Sequence, residues 1–217
     1  MGELGKLKRD DVALLKKNSV YRVADVVYRR GKRWREDTKT IIKNPAFKNT
    51  ILFDYLTEKR HERDFKTFGK IVHRHSEKNQ YRLADPTHLV VHMRLGDVMT
   101  MYRQRDCRTI YSNFYKRVNI TDLPISNVTL VTAFHFGHND IHKKYFYNTT
   151  AIKKSWNIVK DFERQTHDAG LKLELFSNEN VDEDICFMAS SRFFVKGSTA
   201  LSTIIASCLG KDSQVWG

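Results

Sequence analysis

From residue 87 onward, short apolar runs alternate with longer amphipathic stretches. The apolar runs predict strands at 88–93, 129–135, 171–176 and 192–195, with a last strand starting near Val215. The amphipathic stretches predict helices at about 108–118, 152–169, 182–190 and 199–208. Strands that alternate with helices form a parallel sheet covered on both faces. We therefore expect an α/β fold in which a Rossmann-like parallel sheet carries helices on both faces.

The residues before this alternating region follow a different pattern. Residues 6–35 place apolar side chains at helical spacing among lysines and arginines, which predicts two amphipathic helices. Asn44-Pro45 marks a break, an apolar run follows at 51–53, and residues 57–75 predict another basic helix. The chain is thus expected to divide into a basic, mainly helical N-terminal region (1–86) and a Rossmann-like domain (87–217).

The positive charge of the chain is concentrated near its N-terminus. The 217 residues carry a net charge of +13, and residues 1–75 hold 20 Lys and Arg against 10 Asp and Glu. Such a region attracts polyanions, whether nucleic acid, anionic membrane or a phosphorylated substrate, and a solvated helical surface is an equal alternative. Aromatic residues interleave with its arginines, at Tyr21, Tyr28 and Trp34. A nucleic-acid-binding protein is therefore kept as an alternative function.

Cysteine usage and hydropathy indicate a soluble protein of a reducing compartment. Cys107, Cys186 and Cys208 form no C-x-x-C pair, so neither a disulfide framework nor a cysteine-rich zinc site is expected. No run of 18 apolar residues occurs, and the first residues read MGELGKLKRDD, unlike a signal peptide or a membrane anchor. We expect a cytoplasmic protein with no stable membrane insertion. Three N-x-[ST] sequons occur, at Asn119, Asn127 and Asn148. In a secreted chain they would be glycan acceptors, and the alternative is that these short patterns arise by chance.

A polar cluster follows or overlaps the end of each of the first four predicted strands. The clusters are HMRLGD (92–97), HFGHND (135–140), SNE (177–179) and KGST (196–199). Because the carboxyl ends of parallel strands share one edge of the sheet, and ligands of such sheets bind there, we expect these clusters to form one site.

The last cluster has the chemistry of an anion site. Gly197 permits a close turn, and the hydroxyls of Ser198 and Thr199 would lie with free backbone N–H groups at a helix start. Ser198 as a simple N-cap is the alternative. Arg94, at a neighbouring strand end, could add a bidentate cationic partner, and together these groups indicate a diphosphate.

Several classes of protein are disfavoured by missing motifs. Neither a P-loop nor a G-x-G-x-x-G fingerprint occurs, so kinase, NTPase and dehydrogenase functions lose support. The run HFGHNDIH (135–142) and His92 match no established zinc spacing, and we expect no metal ligands. A hydrogen bond to the backbone is the simpler expectation for His135.

Two segments carry a resemblance to a known family. The stretch VVHMRLGD (90–97) resembles the H-x-R motif of the fucosyltransferase superfamily with GT-B architecture. In the second segment, residues 182–210 are similar to the late donor-site motif of that superfamily, and LKLELFSNE (171–179), which comes just before them, resembles the strand and turn that precede this motif. The resemblance covers roughly residues 87–210, in the order and spacing of the family. It implies a GT-B-like donor domain that binds a nucleotide sugar.

The resemblance also implies roles for individual residues. His92 and Arg94 would contact the donor, with Arg94 on the diphosphate and Gly96 beside them. Phosphate binding would depend on Lys196 or on a basic N-terminal residue, because Leu95 stands where many relatives have a second arginine. The remaining expected donor contacts are Gly197, Ser198 and Thr199 on the phosphates and Ser177, Asn178 and Asp184 near the ribose or base.

For the acceptor base the candidates come from the same strand ends. Asp97 is the first choice and His138 or Asp140 the second, since each could take a proton from an attacking hydroxyl. A turn-capping role is the alternative for Asp97. No metal cofactor is expected, because Arg94 would stabilise the charge that develops on the leaving diphosphate.

The resemblance therefore implies an inverting, metal-independent glycosyltransferase. Its donor would be GDP-fucose, or a UDP-sugar such as UDP-xylose, and its acceptor a glycan or a protein. A full second GT-B domain does not fit in residues 1–86, so either the N-terminal helices replace it or the chain is a fragment. Compact sugar-transferring enzymes of large algal viruses have a similar size. An inactive donor domain that serves as an interaction module is a further alternative.

Overall fold

The structure is a computed structural model, and it describes residues 38–39, 41–58, 64–96, 123–135, 149–176, 180–197 and 199–217. The helices predicted within 6–35 and at 108–118 lie outside the described residues, as do the aromatic residues of the basic region.

A five-stranded, all-parallel sheet forms the centre of the described chain, in the order β3-β2-β1-β4-β5. The strands are β1 (His88–Gly96), β2 (Asn127–His135), β3 (Lys172–Phe176), β4 (Phe193–Val195) and β5 (Gln214–Trp216). All five had been expected from the apolar runs. The predicted α/β, Rossmann-like parallel sheet is confirmed.

Five α-helices and one 3₁₀ turn (Pro45–Phe47) accompany the sheet in the described residues. They are α1 (Ile51–Glu58), α2 (Phe65–Asn79), α3 (Thr149–Asp168), α4 (Val181–Ala189) and α5 (Ala200–Ala206). Among these helices none combines the length and the apolar character that crossing a bilayer would need.

Helices cover both faces of the sheet, as expected. Successive strand residues point to opposite faces. On one face Val90 and Phe194 belong to a core with side chains from α1, α2, α4 and α5. On the other face Leu89 and Val91 pack with Phe162 of α3. Strand β1 is thus buried on both faces, which explains why its sequence is a nearly continuous apolar run.

Strand β1 is longer than predicted. It runs to Gly96 instead of ending at 93, because its pairing with β2 continues through Arg94↔Ala133 to Gly96↔His135. Arg94 therefore lies within the strand and not after its end. Strand β2 likewise starts at Asn127, two residues earlier than expected.

In the N-terminal region, the prediction of a single basic helix over 57–75 is wrong. Helix α1 begins at Ile51, where Thr50 Oγ1 accepts from the N–H of Phe53 at 3.2 Å. A second helix, α2, begins at Phe65 after Asp64, whose side chain accepts from the N–H of Thr67. Both helices contribute side chains to the core shared with the sheet. The division of the chain at residues 86/87 stays a prediction.

Candidate functional site

The strand order places a topological switch point between β1 and β4, which is where open α/β sheets have a crevice. Strands β2 and β3 lie on one side of β1, and β4 and β5 lie on the other. Helix α3, which connects β2 to β3, packs on one face, whereas α4 and α5 pack on the opposite face. The connections thus change direction between β1 and β4, and ligands of open α/β sheets bind outside the carboxyl ends of the strands at such a switch point.

His92 and Arg94 come from the β1 side of this switch point. They lie two residues apart in one strand and therefore share the face on which Val90 packs. Strand β4 ends at Val195, which pairs with Val91, so the end of β1 from His92 to Gly96 extends past β4. His92 is 8% exposed and Arg94 is half-buried.

The environment of His92 keeps its imidazole neutral. Burial, and to a lesser degree the positive charge of Arg94, lowers the pKa of His92 to about 4. A neutral ring has one nitrogen that donates and one that accepts. The position of its proton is therefore set by its hydrogen-bond partners.

The turn after β4 supplies the other side of the crevice. The backbone N–H of Lys196 donates to the carbonyl of Trp216 at 2.7 Å, which ties the turn to β5. Gly197 is buried. Thr199 is the N-cap of α5, since its Oγ1 accepts from the N–H of Ser202 at 3.2 Å. The alternative that made Ser198 the cap is therefore wrong.

One side chain joins the two sides, and it was not among the predicted site residues. Ser202 is fully buried, and its Oγ hydrogen-bonds to Nδ1 of His92. The same oxygen accepts from the N–H of Gly197 at 3.1 Å and lies 3.2 Å from Oγ1 of Thr199. We call these four residues the Ser202 junction. The only sequence signal was a hydroxyl three residues after Thr199, on a helix face that is otherwise apolar.

The remaining predicted site residues are less completely defined. Asp97, His138, Asp140, Ser177, Asn178 and Ser198 lie outside the described residues. Gly96 is the last residue of β1 and pairs with His135, the last residue of β2. Asp184 lies in the first turn of α4, which follows β3 at the same edge of the sheet.

Within the described ranges, no three His, Cys, Asp or Glu side chains come together in a way that could hold a metal ion. The expectation of a metal-independent site stays a prediction.

A second polar network lies at the opposite edge of the sheet. The amide of Asn127 donates to Nε2 of His88 at 3.0 Å, and Nδ1 of His88 contacts Oγ1 of Thr129 at 3.0 Å. Thr129 is fully buried within β2. The sequon at Asn127 is thus part of a strand, and its amide nitrogen is hydrogen-bonded to His88. Asn119 and Asn148 lie outside the described residues.

Comparisons with protein-family models, curated proteins and solved structures find no match for this chain. The fold and the site define an α/β protein with a Rossmann-like parallel sheet and a buried polar junction at its switch point.

Proposed function

We propose that the protein is a glycosyltransferase that moves a sugar from a nucleoside-diphosphate donor to a glycan or protein acceptor. One observation carries the proposal. Strands β1 and β4 are neighbours at the switch point, so Arg94 lies in the strand next to the one that leads into the turn after β4. This is the edge at which α/β sheets bind nucleotides. The resemblance of the two segments to fucosyltransferases favours GDP-fucose as donor, with a UDP-sugar such as UDP-xylose as the alternative.

The chemistry gives Arg94 a specific task. Sugar transfer breaks the bond between the anomeric carbon and the diphosphate, so negative charge grows on the departing phosphate oxygen. A guanidinium held by a buried strand can donate two parallel hydrogen bonds to that group. Because the charge is largest in the transition state, this interaction lowers the barrier more than it strengthens ground-state binding.

The other predicted residues complete the proposed mechanism. Lys196 supplies a second positive charge, and the imidazole of His92 contributes as a neutral hydrogen-bonding group. In a direct displacement with inversion, Asp97 accepts the proton of the attacking hydroxyl, with His138 and Asp140 as the alternatives. The donor contacts of Gly96, Ser177, Asn178, Asp184 and Ser198 and a cytoplasmic location belong to the same proposal.

Substitution of Arg94 tests the proposal. Arg94→Lys keeps the charge but loses the planar fork, so we expect a cost of about 2–3 kcal/mol in the transition state, or roughly 30- to 150-fold in rate. Arg94→Ala should cost more. Turnover of the donor, affinity for GDP and UDP, and melting temperature would be measured on the same preparations.

Arg192→Lys is the matched control. Arg192 is exposed at the opposite end of the neighbouring strand, where its guanidinium lies 5.2 Å from the centre of the Phe193 ring. We expect this variant to retain wild-type turnover and nucleotide affinity. Unchanged turnover and affinity in folded Arg94→Ala would refute the role of Arg94. A lower melting temperature with unchanged affinity would show that the residue serves only the fold.

A further inference from the structure

The Ser202 junction contains four hydrogen-bond contacts that link the ring proton of His92 to the protons of two hydroxyls. Two donations are fixed, because backbone N–H groups can only donate: Gly197 to Oγ of Ser202, and Ser202 to Oγ1 of Thr199. Each hydroxyl has one proton and can accept twice. Two things remain to be assigned: the acceptor of each hydroxyl proton, and the nitrogen that carries the proton of the neutral His92 ring.

In one arrangement both hydroxyl protons have acceptors within the junction. The hydroxyl of Thr199 donates to Oγ of Ser202, which then accepts from both Thr199 and Gly197. The Ser202 proton must in that case go to Nδ1 of His92. Nδ1 is then the acceptor of the ring, and the imidazole carries its proton on Nε2.

The reverse arrangement leaves a different proton for a partner outside the junction. A proton on Nδ1 of His92 would turn the Ser202 hydroxyl toward Thr199, and the proton of Thr199 would then need an acceptor outside the junction. In both arrangements Oγ of Ser202, which is fully buried, keeps all its partners within the junction. The direction of the hydrogen bond between Ser202 and Nδ1 thus decides which nitrogen of His92 carries the ring proton. Burial, which lowers the pKa of His92 to about 4, keeps the ring neutral near pH 7.

We infer that Ser202 is a positioning residue for the donor site, because its hydroxyl sets the tautomer of His92 through Nδ1 and ties β1 to the turn after β4. The inference rests on the proposed function, because it takes the junction to serve a donor site. Arg94 follows His92 by two residues in the same strand, so the tie also determines how Arg94 lies relative to the turn. Loss of one hydroxyl should therefore disturb both sides of the crevice.

The first experiment examines the tautomer and does not depend on nucleotide binding. Histidine side chains are labelled with ¹⁵N, and His92 is assigned from the signal that disappears in His92→Gln. We expect a single tautomer at pH 7 in the wild type and a shifted tautomer balance in Ser202→Ala. Ser207→Ala, the same chemical change at the other end of α5, should leave the signal unchanged. An unaltered His92 signal in Ser202→Ala overturns the inference.

The second experiment compares binding of GDP and UDP to the same three proteins. We expect Ser202→Ala to bind about tenfold more weakly, since that factor equals about 1.4 kcal/mol and lies at the lower end of the cost of an unpaired buried group. Ser207→Ala should bind as the wild type does. If folded Ser202→Ala binds normally, the positioning role is refuted and the proposed function survives.

If the wild type binds neither nucleotide, the proposed function is refuted, and the tautomer result still decides whether Ser202 controls His92. If Ser202→Ala does not fold, Ser202→Cys takes its place in both experiments. A thiol is close to a hydroxyl in size but is a weak donor and acceptor. The expected shift in tautomer and the expected loss of affinity are the same, and their absence overturns the inference.

Discussion

Asp182 is a buried carboxylate that joins two helices, and its replacement should change how stability depends on pH. It is 4% exposed, and its Oδ2 accepts from the N–H of Ile51 at 3.0 Å, which ties the start of α4 to the start of α1. Burial raises the pKa of Asp182, and Asp54 adds to this, whereas the hydrogen bond from Ile51 and the nearby His75 lower it. The net effect is a raised pKa.

The sign of the pH dependence follows from that direction. A pKa that is higher in the folded state means that the fold disfavours the charged form. The associated stability is fully present below the ordinary value of 3.8 and is lost as pH rises through the folded value. Asp182→Asn cannot ionise but keeps an oxygen for the N–H of Ile51. Its stability relative to the wild type should therefore increase from about pH 3.5 to pH 7, by about 1.4 kcal/mol per pKa unit.

Asp182→Ala isolates the contribution of the hydrogen bond. Like Asp182→Asn it cannot ionise, but it also removes the acceptor for the N–H of Ile51, so it should be less stable than Asp182→Asn by about 1–3 kcal/mol at every pH. The free energy of unfolding would be measured by urea titration at several pH values. Asp161→Asn is the control, since Asp161 is exposed and pairs with Arg164 across one turn, and it should change stability by less than about 0.5 kcal/mol throughout. A difference between Asp182→Asn and the wild type that is constant or falls with pH would refute the reasoning.

Two further predictions concern metal and thiols. Donor turnover should persist in EDTA, because Arg94 takes the place of a divalent cation on the leaving diphosphate; complete loss that Mn²⁺ restores would contradict this mechanism. Burial raises the pKa of Cys186 to about 12 and that of Cys208 to about 11, so in a Cys107→Ser background the native protein should react slowly with Ellman's reagent at pH 8 and the unfolded protein rapidly. Rapid reaction of the native protein would show that these thiols are not buried as described.

The helices and strands that periodicity identified best are those with clear local stop and start signals. The helix predicted at 182–190 is Val181–Ala189, and its start is capped by Asn180, which accepts from the N–H of Asp182. The apolar run at 51–53 was harder to interpret, because three residues do not distinguish a strand from the first turn of a helix. Its continuation through Tyr55 and Leu56, both buried, completes a helical pattern that the prediction missed.

The candidate site could be predicted only in part, for a physical reason. Parallel strands place their carboxyl ends at one edge, so the polar clusters could be expected to share that edge. Which clusters become neighbours depends on strand order, and β1 pairs with β4 across more than a hundred residues, as in Leu89↔Phe193. Ser202 could not be recognised from its own helix, because its partner His92 comes from that distant strand.

The central claim is that the crevice between β1 and β4 binds a nucleoside diphosphate, and thermal unfolding in the presence of nucleotides tests it most directly. GDP, UDP, GDP-fucose, UDP-xylose and UDP-glucose would each be added without metal, with a salt series to detect a nonspecific polyanion interaction. A ligand at one hundred times its Kd adds about 2.7 kcal/mol, or roughly 5–11 °C in melting temperature for a chain of this size. We predict selective stabilisation by one base, GDP and GDP-fucose first, that survives moderate salt and is lost in Arg94→Ala. No stabilisation by any of the five at millimolar concentration would contradict the claim.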